Sequence, residues 1–187
     1  MPRVNMFSNI SLDGYFVDTN GDMSWAHAGR DDPEMGEFTS KNAQGGGALV
    51  FGRITYQMME AFWPTPMAAQ MMPEVAKGMN AARKYVFSHS LKSAGWANTV
   101  ILDGDPAREI ARLKKEGGDK GLTILGSGSI VKQLTAAGLI DDFQFLINPV
   151  VLGGGRTLFD GVPGRPGLTL ENSRIFKNGK VFLHYRR

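Results

Sequence analysis

The alternation of apolar and polar residues divides the chain into short strands and amphipathic helices. Residues 3–10 predict a first strand, with Val4, Met6 and Ile10 among its apolar positions. "SLDGYFVDTNGDMSW" follows as a turn-rich loop, marked by its Asp-Gly and Asn-Gly steps. A helix is expected after Asp31 and Asp32, with Pro33 in its first turn. "GGGALVFG" predicts a strand entered and left through glycine, and "RITYQMMEAF" carries Ile54, Met58 and Phe62 at helical spacing. A further helix is expected within Ala68–Asn80.

"RKYVFS" and "NTVILD" predict two short strands. "DPAREIARLKKEGG" predicts a helix with Pro106 early, Ile110 and Leu113 on one face and Gly117 at its end. "TILGSGSIVKQL" predicts a strand, a glycine turn and a helix; "DDFQFLINPVVLGGG", "GLTLENSRIF" and "KVFLHYRR" predict strands, the last two joined at Asn178-Gly179. Strand and helix alternate through three quarters of the chain, and strands follow. That order implies a mostly parallel sheet with helices on its faces and an antiparallel C-terminal edge. The length, 187 residues, fits one domain over residues 1–187.

Composition removes several function classes. Apolar residues make up 42% and charged residues 21%, an ordinary globular balance. No apolar run reaches the roughly 18 residues of a membrane helix, and the first residues do not read as a secretory signal. With no cysteine there is no disulfide, thiolate nucleophile or Cys-ligated metal. These features lead to the expectation of a cytoplasmic protein. The net charge of +3 comes from scattered Lys and Arg with no basic block, which argues against nucleic acid and suits a phosphorylated cofactor or substrate.

Two strand-to-helix turns carry candidate chemistry. Gly126, Ser127, Gly128 and Ser129 stand where a helix start exposes unpaired N–H groups and a positive dipole end, an arrangement suited to a phosphate. A tight connection with a Ser cap explains the same residues equally well. The dinucleotide fingerprint is incomplete, because Val131 stands where its third glycine belongs. In "FGRITY", Gly52 ends a strand, Arg53 can pair with a phosphate and Thr55 can donate its hydroxyl; an exposed Arg beside a helix cap is the plainer alternative. In a parallel sheet both turns lie on one edge and can address one elongated ligand. "VVLGGGRTLF" is either a bend or a wall of such a site.

Taken together, "NISLDGYF", "LVFGRITYQMM", "YVFS" and "TILGSGSIVKQLTAAGLIDDFQFLINPVVLGGGRTLF", in this order, resemble the dihydrofolate reductase-like family. The likeness is to the C-terminal reductase domain of the riboflavin-biosynthesis deaminase-reductase and its stand-alone relatives. It implies a three-layer α/β/α fold and an NADPH-dependent homodimeric reductase. By position in the family pattern, Gly52, Arg53 and Thr55 are implied cofactor residues, with Arg53 near the adenosine phosphate and Thr55 near the diphosphate. Ser88 is implied beside the adenosine, and Gly126, Ser127, Gly128 and Ser129 in the diphosphate turn.

In such enzymes the cofactor supplies hydride, and the protein aligns, excludes water and delivers a proton. Asp13, in "SLDG", is the polar candidate near the nicotinamide; the Asp of an Asp-Gly turn is the alternative. Trp25 is a candidate substrate wall, with burial in the core as its alternative. Folate reductases place an acid on the helix after the first loop. Here Asp31, Asp32, Glu34 and Glu37 are available without a secure match, which weighs against dihydrofolate as substrate. His27, His89 and His184 lack ligand spacing for a metal, and His184 alternates onto the predicted solvent face of the last strand. "MAAQMMPEVAKGM" suits an adaptable helix face. The expected activity is hydride transfer to a C=N or C=O group of a pterin-like or ribosylaminopyrimidine-like compound, with 5-amino-6-(5-phosphoribosylamino)uracil reduction as its specific form. A folate-type reductase and a non-catalytic nucleotide-binding module are the alternatives.

Overall fold

The structure, a computed structural model, describes residues 1–29, 32–43, 45–118 and 120–187. Asp31, named above as a candidate acid, lies outside them.

The central sheet forms from β1 (Arg3–Ser11), β3 (Ala48–Gly52), β4 (Lys84–Phe87), β5 (Thr99–Leu102), β6 (Gly121–Leu125), β7 (Asp142–Asn148), β9 (Thr169–Ile175) and β10 (Val181–Arg186). Their order is β5-β4-β3-β6-β1-β7-β10-β9. The first six are parallel, and β10 and β9 close the edge antiparallel. β2 (Tyr15–Val17) and β8 (Arg156–Thr157) form a separate two-stranded ribbon. The loop predicted after β1 therefore contains a strand. Period-two patterning is invisible over three residues, and its partner lies about 140 positions away.

Helices cover both faces. On one, Val4, Met6, Val50, Leu122, Ile124, Phe143 and Phe145 pack against α5 (Pro106–Glu116) and α6 (Gly128–Ala136) through Ile110, Leu113, Ile130, Val131 and Leu134. α5 starts as its sequence dictates: the Asp105 side chain accepts from Arg108 N at 2.9 Å, Pro106 follows, and Gly117 ends it in a left-handed conformation.

The opposite face carries two separate clusters. Phe51, Tyr56, Val75, Met79, Val86 and Trp96 pack beneath α2 (Arg53–Phe62) and α4 (Pro73–Ala81). Met35, Leu146, Phe176 and Phe182 pack beneath α1 (Pro33–Ala43), with Phe38 against them. The single helix predicted over Ala68–Asn80 is two, α3 (Pro66–Met71) and α4, because Pro73 begins a new helix after Met72 leaves helical geometry. α2 buries Tyr56 and leaves Ile54 and Met58 out of the core, on the side that borders the cleft described below. His184 does not face solvent either. Its Nε2 lies 2.8 Å from Asp142 Oδ1, because β10 pairs with β7 and sets His184 level with Gln144.

The gap between α1 and the α2–α4 pair is the feature that positions a site. At its back, α1 and α4 meet where Gly78 lacks a side chain; a Cβ there would stand 2.5 Å from the Ala43 carbonyl.

Candidate functional site

The gap opens as a cleft of about 1110 Å³ across the carboxyl ends of β3 and β6 and back along the sheet. Ligands of open α/β sheets bind at this edge, where neighbouring strands turn into helices.

The register explains why the two predicted turns meet. Val50 is level with Ile124, so the chain leaves β3 at Gly52 and β6 at Gly126 side by side. Gly52 N donates to Ser127 Oγ at 2.6 Å, and Ser127 Oγ donates to Thr55 Oγ1 at 3.1 Å. One serine thus ties the start of α2 to the start of α6. Gly126 and Ser127 are both left-handed, at φ 58° and 61°. This turns the chain sharply into α6, whose Ile130 and Val131 amides bond to Ser127 O. Ser127 is the cap residue of α6, yet its hydroxyl makes no capping bond, since it is engaged across the cleft. The first α6 amides, at Gly128 and Ser129, have no carbonyl a turn earlier to bond and carry the positive end of the helix dipole.

The cleft wall is electrostatically one-sided. Among the described residues it includes Lys41, Arg53, Arg83, Lys120 and Arg156, and no Asp or Glu. Such a wall attracts an anion. Arg53 is exposed at the rim and held by Gln57, whose Oε1 accepts from Nη1 at 3.0 Å. The β2–β8 ribbon roofs the turn. Phe16 lies over α6 so closely that a Cβ on Gly128 would come within 2.5 Å of its ring, and the Arg156 guanidinium stands 5.5 Å from the same ring. The glycine-rich stretch read as bend or wall is both. Gly155 lets the chain approach the Val17 carbonyl, and Arg156 reaches the cleft.

The structure brings together Gly52, Arg53, Thr55, Gly126, Ser127, Gly128 and Ser129 on one cleft. Asp13, Trp25 and Ser88 stand outside its wall. The Asp13 carboxylate accepts from Leu152 N at 3.1 Å and Gly153 N at 2.7 Å. A hydrogen bond with the Ser11 side chain and these amides pull it down to about 2. Asp13 is therefore an ionised clamp between the first loop and the glycine-rich loop. Trp25 sits in a 3₁₀ turn (Ser24–His27), partly buried, with Nε1 donating to the Asp22 carbonyl. Ser88 Oγ accepts from Ser90 N and Leu91 N and shapes the turn after β4.

The described acids in and just before α1 are engaged elsewhere. Glu34 pairs with Arg174 at 2.7 Å, Glu37 with Lys41 at 2.6 Å, and Asp32 accepts from Glu34 N and Asn178 N. From α1 the cleft receives Phe38, Thr39, Lys41, Asn42 and Ala43. The sequence reading missed Phe16, Asn5, Thr123 and Gln144, which face the cleft from the ribbon and the sheet floor. The signal was present in β1, where apolar Val4 and Met6 alternate with Asn5 and Asn9.

A mostly parallel sheet between helical layers, an antiparallel edge and a cleft across its carboxyl ends define a dihydrofolate reductase-like α/β/α protein. Residues 2–182 match the RibD C-terminal domain family, and the chain belongs to it. An uncharacterised Bacillus subtilis (strain 168) protein, YyaP, is 30% identical over 183 residues, covering 98% of this chain and 94% of that one. The structure resembles that of a putative riboflavin biosynthesis protein from Shewanella sp. PV-4, with TM-score 0.74, 21% identity and coverage of 99% and 98%. It also resembles a diaminohydroxyphosphoribosylaminopyrimidine deaminase/5-amino-6-(5-phosphoribosylamino)uracil reductase from Thermotoga maritima. There the TM-score is 0.67 and the identity 16%, over 99% of this chain and 56% of the other.

Proposed function

We propose that this protein is an NADPH-dependent reductase that transfers hydride to a C=N or C=O group of a ribosylaminopyrimidine-like or pterin-like substrate. The observation that carries this reading is the pair of turns joined by Ser127 Oγ on one cleft whose described charged residues are all cations. Gly126, Ser127, Gly128 and Ser129 would hold the diphosphate with backbone and hydroxyl donors, Thr55 would add a donor, and Arg53 would meet the adenosine phosphate. The bound cofactor supplies the hydride. The chain itself orients both partners and excludes water beneath the Phe16 roof.

Family membership favours the riboflavin-pathway substrate over dihydrofolate. Among the described residues, Glu34 and Glu37 of α1 are paired with Arg174 and Lys41 and do not line the cleft, which supports the same preference. A homodimer and a cytoplasmic site of action belong to the same reading. The edge strand β9, exposed at Leu170 and Ile175, is the surface a second copy would cover.

The test is loss of NADPH absorbance with 5-amino-6-(5-phosphoribosylamino)uracil as substrate, run beside equilibrium binding of NADPH. Turnover that disappears in Arg53→Ala/Ser127→Ala supports the reading. Tight NADPH binding without turnover of this compound, dihydrofolate or small carbonyls would instead establish a nucleotide-binding module.

A further inference from the structure

Behind the glycine turn the cleft continues along the sheet, and its floor there is polar. Asn5, Thr123 and Gln144 all face it. On β1, Asn5 is level with Thr123 of β6 and with Asp142 of β7, whose oxygens are held by Arg3 and His184, and Phe7 is level with Gln144, so Asn5, Thr123 and Gln144 share one sheet face across adjacent strands. Thr123 is three residues behind Gly126, which places the patch about 10 Å inside the turn at ~3.3 Å per residue.

A sheet floor between two apolar clusters is an unfavourable place for carboxamides without partners. Asn5 Oδ1 is buried, and among the described residues it meets no hydrogen-bond donor. Leaving such a group unmatched costs roughly 1–3 kcal/mol. Among the described residues no hydrogen bond latches the amide, so a half-turn about its terminal torsion presents either its oxygen or its NH₂ to the cleft. A carboxamide offers one acceptor and one donor side by side. Its complement is the adjacent N–H and C=O of a neutral lactam or imide. A carboxylate, by contrast, complements a protonated amidine, and no carboxylate faces this chamber among the described residues.

We propose that Asn5, supported by Thr123 and Gln144, is the residue that selects substrate in this chamber, reading a neutral lactam or imide edge on the part of the substrate that is not reduced. This rests on the reductase reading for the word substrate, and its test is by binding so that the two can fail separately.

The probes are 5-amino-6-ribitylaminouracil, which carries an imide edge, and 2,4-diaminopteridine, which carries an amidine edge. Each is titrated calorimetrically into NADP⁺-loaded protein. Wild type is expected to prefer the imide probe. Asn5→Leu is expected to weaken that probe at least tenfold while NADP⁺ affinity stays within twofold, which also reports an intact fold. Asn5→Asp is expected to reverse the preference toward the diamino probe. The proposal is overturned if wild type binds neither probe or if Asn5→Leu leaves imide affinity within twofold. A variant that also loses NADP⁺ is replaced by Gln144→Leu, for which the same tenfold loss is required. Imide binding without any hydride transfer would retain the selector and reject the reductase.

Discussion

Ser127 sits in a left-handed backbone conformation that costs a residue with a Cβ about 1–2 kcal/mol. The bonds to Gly52 N and Thr55 Oγ1 offset that strain, and they exist only because the turn throws the hydroxyl toward β3. Ser127→Ala keeps the strain and strands a part-buried amide. It is expected to lower stability by about 1–3 kcal/mol in urea unfolding and to weaken NADPH binding about tenfold. Asp13 permits a sharper distinction. Its carboxylate, held at about 2, is already ionised across the working range. Its stabilising effect is present above the ordinary carboxylate pKa and is lost as pH falls through about 2. A proton-donor role would require Asp13 to titrate within that range. Asp13→Asn is expected to leave every pKa of the kcat profile between about pH 5 and 9 unmoved. Loss of a limb in that profile would restore Asp13 as the donor.

Lys84 presents the opposite sign. It is fully buried, gives hydrogen bonds to the carbonyls of Asn80, Ala82 and Ala97, and lies 4.4 Å from the Trp96 ring centroid. Burial pushes its ammonium from 10.5 down to about 8. Between those values the unfolded chain binds more protons, so the burial penalty fades as pH rises. The stability of wild type relative to Lys84→Met is expected to increase from about pH 7 to pH 10 in urea titrations.

At the level of elements, the roof and the turn are matched by the missing side chain of Gly128. Gly128→Ala drives a methyl into the Phe16 ring and displaces the β2–β8 ribbon. NADPH affinity is expected to fall about tenfold, and Phe16→Ala in the same chain to bring it back within threefold. A titration by tryptophan fluorescence reads both. The elements also show what the sequence could disclose. β1, α5, α6 and the Asn178-Gly179 hairpin each carry a local signal, a period or a cap, and each forms where that signal lies. β8 has two residues and no period, and its existence depends on β2 far away in sequence. The turns at Gly52 and Gly126 were legible because glycine and serine at a strand end have local causes. Arg53 and Thr55 were legible through them. Asn5 showed only as a polar position in the alternation of β1, and its place beside Thr123 and near Gln144 comes from pairing with strands distant in sequence.

Across the whole molecule charge is divided by location. Asp142, almost fully buried, accepts from Arg3 at 2.6 Å and contacts His184 at 2.8 Å, at the opposite end of β7 from the glycine turns. Burial alone would raise that carboxyl, and the Arg3 and His184 hydrogen bonds reverse this and hold it below the usual range. Its pairing stabilises the fold above the unfolded carboxylate pKa and is lost as pH falls through the lower folded value. The cleft wall gathers Lys41, Arg53, Arg83, Lys120 and Arg156, with Lys41 paired to Glu37, which lies off that wall. NADPH affinity is therefore expected to fall steadily with added salt, in proportion to the charges engaged, while unfolding midpoints move little.

The first loop and the glycine-rich loop are fastened directly to each other. Leu12 N bonds to Val150 O, both Asp13 oxygens hold the 152–153 amides, and Gly155 nests against Val17. These ties couple residues 12–18 to residues 150–157, so a displacement of either segment is expected to carry the other with it. Stiffening either segment at its base is then expected to restrain both.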